Sequence, residues 1–193
     1  MIVGNPDTFA IESEITLAYA SLNQMALGFF VVHVMGRSYG ARNADATMLA
    51  DPFNEVVKRI AKRGSHNPAF PMNATAANIA YSFRRAVYDE SEEGELFFGM
   101  PVHEFTKAIS SNHLEWTAYC DEAFDDSSYV LQFEDENQVR LVAFTGTSDF
   151  QYDPASLRDV RLSPDAFYGI LQEWHSRFKN EWSSWPKVSE SIQ

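Results

Sequence analysis

The sequence contains a single cysteine, and this scarcity of thiols limits its chemistry. Cys120 has no second cysteine to pair with, so the chain can form no internal disulfide and no zinc site built from several thiolates. This usage fits a reducing, cytoplasmic compartment. A lone cysteine beside an aromatic segment is more often a small core residue than a nucleophile, although His113 could serve it as a base.

The sequence also lacks long apolar runs and an excess of positive charge. Its longest apolar runs, such as residues 26–32, are far too short to cross a bilayer, and we expect neither a signal peptide nor a membrane partner. With 15 lysines and arginines against 27 aspartates and glutamates, the formal net charge is -12. Because this charge repels phosphate, we expect no nucleic-acid partner, and a basic protein is the complementary one.

Motifs that indicate catalysis or metal binding are missing from the sequence. His103 and Glu104 begin like a zinc-binding helix motif, but Lys107 stands where the second histidine is required. The sequence has no glycine-rich phosphate loop and no Gly-x-Ser-x-Gly elbow. The acidic stretch 121–126 lacks the alternating ligands and the glycine of a calcium loop. We therefore expect no catalytic residues, no cofactor and no metal.

Apolar residues are plentiful, and residues 128–145 predict a central hairpin. Pairing Phe133 with Val139 places two alternating apolar sets on one face, which we expect to be core. The polar residues 134–138 suit the connecting loop. The alternating apolar sets are Tyr129, Leu131 and Phe133 in the first arm and Val139, Leu141 and Ala143 in the second.

Periodicity and turn residues predict the remaining elements. Residues 9–17 favour a strand, with a Glu-rich helix as the alternative. Other strands are predicted at 27–35, around Tyr39, and at 47–49, 114–120 and 157–162. Helices are predicted from Asp51 to Gly64, at 75–88, after Pro101, and at 164–182 behind a Ser163 cap.

In the first predicted helix, an apolar stripe is expected to face the core, and basic residues are expected on the opposite side. The stripe is Phe53, Val56, Val57, Ile60 and Ala61, and the basic residues are Lys58, Arg59, Lys62 and Arg63. The order of elements predicts one α+β domain over residues 1–193. In this domain a mainly antiparallel sheet has the hairpin at its centre, packed by the long C-terminal helix and two to three shorter helices.

Acidic residues flank the predicted hairpin, and we predict that they contact a partner. The alternative is that they are ordinary solvated loops. The acidic run at 89–95 is expected to be only such a loop. The entry group consists of Asp121, Glu122, Asp125 and Asp126, and the turn group consists of Glu134, Asp135 and Glu136.

Four segments carry a family resemblance. They are IVGNPDTFAIESEIT, GMPVHEFTKAISSNHLEW, DEAFDDSSYVLQFEDENQVRLVAF and DPASLRDVRLSPDAFYGILQEW. Together they resemble the immunity protein 42 family of bacterial polymorphic toxin systems, from Ile2 to Trp182. The resemblance implies a cytoplasmic, non-enzymatic protein that binds and neutralises a cognate toxin domain. It transfers this role and no site residues. The acidity of the chain suits a basic toxin, such as one of the nuclease type.

A second hypothesis comes from a different class of protein. Trp116, Tyr119 and His113 could line the pocket of a small-molecule enzyme or a ligand-binding sensor. Convergent polar groups and an ionisable residue with a shifted pKa would support this reading.

Overall fold

The computed structural model describes residues 1–88, 94–149 and 151–188, without the side chains of Tyr119 and Asp121. Its helices are α1 (Ala50–Ala61), α2 (Ala76–Tyr88), α3 (Val102–Ser111) and α4 (Pro164–Ser184). Its longer strands are β1 (Ile2–Asn5), β2 (Phe9–Tyr19), β3 (Ala26–Val34), β4 (Arg37–Tyr39), β8 (Ser128–Glu134), β9 (Val139–Thr145) and β10 (Arg158–Leu162). The two-residue strands are β5 (Thr47–Met48), β6 (Leu96–Phe97), β7 (Met100–Pro101) and β11 (Lys187–Val188). No described helix is both long and apolar enough to span a membrane.

The N-terminal sheet has the order β1-β2-β3-β4 and is antiparallel throughout this path. Two short strands extend it, since β5 pairs with β3 and β11 runs parallel to β2. The strand predicted at 9–17 is confirmed. Its inward alternation ends at a bulge between Ile15 and Leu17, so Ile15 is buried while Leu17 is partly exposed.

The predicted hairpin is present as β8 and β9, but its predicted register is wrong by one residue. Val139 pairs with Glu134, and Phe133 pairs with Arg140. The two apolar sets therefore lie on opposite faces of the hairpin. The register could not be selected by alternation, because both faces are apolar and both are buried.

Each face of the hairpin belongs to a different core. The first core lies between the N-terminal sheet, α1, α4 and one face of the hairpin, and the second lies between the other face, α2 and α3. The hairpin contributes Val130, Val139, Leu141 and Ala143 to the first core and Leu131, Phe133, Val142 and Phe144 to the second. The hairpin is thus a shared wall between two cores.

The C-terminal helix α4 begins as predicted. Ser163 caps it by accepting a hydrogen bond from the Ala166 backbone N–H at 3.3 Å. Its aromatic stripe packs mainly on β1, β2 and α1, and Tyr168 extends to the hairpin. The indole N–H of Trp174 donates to the Ser13 hydroxyl at 3.0 Å, which satisfies both buried groups.

Two local predictions near the centre of the chain are wrong. Helix α1 begins at Ala50, so Asp51 lies in its first turn instead of capping it. Residues 114–120 form no strand. Glu115 makes a single bridge to Leu131, and the chain then turns through two 3₁₀ segments, Thr117–Tyr119 and Asp121–Phe124. These turns carry the chain away from the hairpin edge and create the surface described below.

Candidate functional site

The two predicted acidic groups lie at opposite ends of the hairpin. Ser128 pairs with Thr145 at the end that the entry group precedes, and Glu134 pairs with Val139 at the turn. Since a strand rises about 3.3 Å per residue, the seven residues of β8 separate the two ends by about 20 Å. The acidic residues therefore form two separate surfaces.

The entry group combines exposed carboxylates with hydrogen bonds that fix the loop. Glu122 and Asp125 are exposed, but Glu122 accepts hydrogen bonds from the Thr47 hydroxyl at 3.5 Å and the Met48 N–H at 3.4 Å. Asp126 is exposed too, but it accepts hydrogen bonds from the Gly40 N–H at 3.2 Å, and from the Ser128 N–H and hydroxyl at 3.0 and 2.8 Å. The side chain of Asp121 lies outside the described part of the chain. Asp125 is therefore the entry residue best placed to contact a partner without a structural role.

The turn group divides in the same way. Glu136 is exposed. Asp135 accepts from the Gln138 side-chain amide at 3.0 Å and from the Asn137 and Gln138 N–H groups at 2.8 and 3.0 Å. These bonds, the Gln138 side chain's first, lower the pKa of Asp135. Asp135 thus stabilises the turn, and Glu136 is free of any such hydrogen bond among the described residues.

Glu134 is a correction to the predicted surface, because only 3% of it is exposed. Its carboxylate accepts from the Gly64 N–H at 2.5 Å, from the Gln132 side-chain amide at 2.7 Å and from the Tyr168 hydroxyl. His66 Nδ1 lies 3.3 Å away. Burial acts to raise the pKa of Glu134, but the hydrogen bonds of His66 and Tyr168 outweigh it, so the pKa falls. Glu134 connects interior elements and cannot reach a partner.

The buried face of α1 also differs from the prediction. Glu55 and Arg59 are 2% and 1% exposed, with Arg59 Nε 2.7 Å from Glu55 Oε1. Val57, predicted in the apolar stripe, is 38% exposed. The helix therefore turns a charged pair toward the core, and Arg59 does not lie among the exposed basic residues.

Arg59 links α1 to the hairpin and to the segment after α3. Its Nη1 donates to the Gln132 side-chain oxygen at 2.9 Å, and its Nη2 donates to the Glu115 carbonyl at 2.7 Å. The guanidinium carbon lies 4.5 Å from the centre of the Trp116 ring. Burial lowers the pKa of Arg59, and the Glu55 carboxylate offsets only part of this effect. The sequence signal for this network is Gln132, a polar residue in the middle of an apolar strand.

The prediction that Trp116 lines a pocket is wrong. Trp116 is fully buried, and its indole N–H donates to Gln132 Oε1 at 3.1 Å. His113 lies beside Lys62 at the end of α1, and the side chain of Tyr119 is not described. Cys120 is buried in the first core, where burial raises the pKa of its thiol. The prediction of Cys120 as a core residue is confirmed.

Two concave surfaces meet at Ala118, and the sequence did not predict either. The α3 groove, of about 440 Å³, lies between α2, α3 and the first 3₁₀ turn. The Tyr129 groove, of about 360 Å³, lies between the end of α2 and the entry loop. The α3 groove is lined by residues that include Val87, His103, Lys107, Ile109, Glu115 and Ala118. The Tyr129 groove is lined by residues that include Tyr88, Ala118, Phe124, Asp125, Ser127 and Tyr129.

Glu115 is the acidic residue among those named as lining the α3 groove. It is 6% exposed, and it accepts hydrogen bonds from the Tyr88 hydroxyl at 3.3 Å and from the Thr117 hydroxyl. Burial raises the pKa of Glu115, against the effects of these two bonds and of the Arg59 charge. Among the described residues, no cationic side chain forms an ion pair with it. A buried carboxyl held only by hydroxyl groups therefore borders an open groove.

Comparisons with known proteins cover most of the chain. A profile of the family described as immunity protein 42 matches residues 1–177. In fold, the chain is similar to the crystal structure of CdiI from Burkholderia dolosa AUO158, with a TM-score of 0.57 and 15% sequence identity over 92% of this chain and 99% of that chain. No curated protein matches the sequence. Because the family profile matches nearly its full length, the chain belongs to the immunity protein 42 family and has a toxin-neutralising immunity function.

Proposed function

We propose that this protein neutralises its toxin by direct, non-catalytic binding, and that the toxin is a basic domain of the nuclease type acting in the cytoplasm. The family match over residues 1–177 carries the immunity role. The charge supports the choice of toxin, because a domain that holds phosphate needs a basic surface and this chain has a formal net charge of -12. Opposite charge raises association rates from about 10⁵–10⁶ to about 10⁸ M⁻¹s⁻¹ or more at low salt.

Co-expression tests this proposal. The toxin domain encoded by the neighbouring gene should stop growth when expressed alone, and this protein should restore growth and copurify with the toxin. An unrelated acidic protein expressed to the same level is the control for charge alone. Failure of both rescue and copurification would refute the proposal for that toxin. Rescue without a recoverable complex would refute direct binding.

Reversing the charge of Asp125 should slow capture of the toxin. Asp125 is exposed and borders the Tyr129 groove, so Asp125→Lys is expected to lower the association rate and flatten its dependence on salt. The melting temperature should change little, since exposed charges contribute only about 0–1 kcal/mol. Stopped-flow measurements at several salt concentrations give both the rate and its salt dependence.

A matched variant separates local contact from net charge. Asp7→Lys changes the net charge equally, at an exposed turn between β1 and β2. It should slow association less than Asp125→Lys does. Equal effects of the two variants would remove Asp125 from the interface.

Asp126→Asn should instead lower the melting temperature, because Asp126 holds Gly40 and Ser128 in place.

A further inference from the structure

We infer that the α3 groove receives a lysine or arginine side chain of the toxin, with Glu115 as its ion-pair partner. This inference rests on the proposed function and specifies one of its contacts. Glu115 lines a groove of about 440 Å³ that is open to solvent beside α3. It differs from the predicted acidic residues because it lies at depth, where an ion pair is less screened than on the surface.

The lining of the groove suits a long cationic side chain. Val87, Ile109 and Ala118 supply apolar contacts, which fit the aliphatic stem of a lysine or arginine. Glu115 lies with 94% of its surface buried, where it can accept hydrogen bonds from the charged end of that side chain. The groove therefore offers an apolar wall and a carboxylate to one side chain.

The bonding of Glu115 in the free protein is incomplete for a carboxylate at this depth. Its described donors are two hydroxyl groups, those of Thr117 and Tyr88. A buried carboxylate without a cation is disfavoured by the loss of water, and the raised pKa of Glu115 reflects this. The charge of Arg59 offsets part of this cost in the free protein, and a cation entering the groove would add the ion-pair partner that Glu115 lacks among the described residues.

The groove also contains positive charge, so the alternative occupant is an anion. Lys107 and His103 line it, but both are exposed. Exposed charges are screened by water and salt, whereas a buried carboxylate is screened much less. The charge of the buried Glu115 therefore outweighs those of Lys107 and His103, and the groove favours a cation over an anion. This asymmetry gives opposite predictions for Glu115 and Lys107.

The neighbouring Tyr129 groove extends the same surface. The two grooves share Ala118, and the second contains Tyr88, Tyr129 and Asp125. Tyr88 is 40% exposed, and exposed tyrosines are enriched among residues that dominate binding. An inserted side chain in the α3 groove would thus be flanked by aromatic contacts and by the exposed carboxylate of Asp125.

Paired charge neutralisations test the inference with the toxin domain of the neighbouring gene. Glu115→Gln should raise the Kd by about tenfold or more, mainly through faster dissociation, while its melting temperature stays at or above that of the unaltered protein. Lys107→Gln should leave the Kd unchanged or lower it. A tighter complex with Glu115→Gln and a weaker one with Lys107→Gln would show an anionic occupant and overturn the inference. Unchanged binding by both variants would overturn it as well.

A filled groove provides a test that does not depend on removing Glu115. Ala118 and Ala155 are both exposed alanines at the centre of three-residue 3₁₀ turns, and only Ala118 lines the grooves. Ala118→Trp should block binding, whereas Ala155→Trp should bind normally. If the unaltered protein binds the toxin and Ala118→Trp binds equally well, the groove is excluded and the proposed function stands. If the unaltered protein fails to bind, the proposed function fails and the inference fails with it.

Discussion

Deleting residues 163–193 should leave a chain that cannot fold. The deletion removes α4, whose buried side chains include Phe167, Trp174 and Phe178, all fully buried in the first core. Each contributes about 1.5–3 kcal/mol by burial alone, and a protein of this kind is stable by only about 5–15 kcal/mol in total. The fragment should therefore be insoluble or rapidly degraded, as judged by the soluble fraction and by limited proteolysis.

A point substitution calibrates this deletion. Trp174→Ala should remain soluble but lose about 3–5 kcal/mol of unfolding free energy, partly because Ser13 loses its donor. A soluble fragment ending at Leu162 with a cooperative melt would contradict the proposal that residues 1–193 form one domain.

Replacing Arg59 should produce the second large loss of stability. Arg59→Met leaves Glu55 buried without its cation, and such changes cost about 3–5 kcal/mol. Arg63→Met is the matched control, in the turn just beyond the end of the same helix. Arg63 is about half exposed and pairs with Asp165, which is almost fully exposed, so its loss should cost less than about 1 kcal/mol. Urea unfolding measures both values.

A double variant identifies the cause of that loss. Glu55→Leu combined with Arg59→Met removes both charges, and it should recover most of the stability, because a buried ion pair is often replaceable by apolar residues. If Arg59→Met alone were as stable as the unaltered protein, the charge of Glu55 would not matter in the folded state. If the double variant were no better than the single one, the hydrogen bonds of Arg59 to Gln132 and Glu115 would be the main contribution.

The sequence predicted those elements whose local signals agree with one another. For α4, the Ser163 cap, Pro164 and the apolar spacing all indicate the same start and the same buried face. The hairpin is different, because both of its faces are largely apolar and alternation alone does not select one register over the next. For α1, the apolar stripe was a poor guide, since the core accepts the charged pair Glu55 and Arg59 in place of Val57.

The candidate site was predicted less completely than the fold. Glu122, Asp125 and Glu136 are exposed as a partner contact requires, and their contact with a toxin remains a prediction. Glu134 is buried because α4 and residues 64–66 close over the hairpin turn. Nothing local indicates this long-range packing. Glu115 was missed for the same reason, since its burial beside a groove depends on α2, α3 and a turn that was predicted as a strand.

The separation of the two acidic groups has a consequence for how specificity can evolve. About 20 Å of paired strand lies between them, which exceeds the range of about 7–10 Å over which substitutions usually affect one another. It also exceeds the Debye length of about 8 Å at physiological salt. A change of charge at one end of the hairpin should therefore have little effect on the other end, so selection could alter the two acidic groups independently.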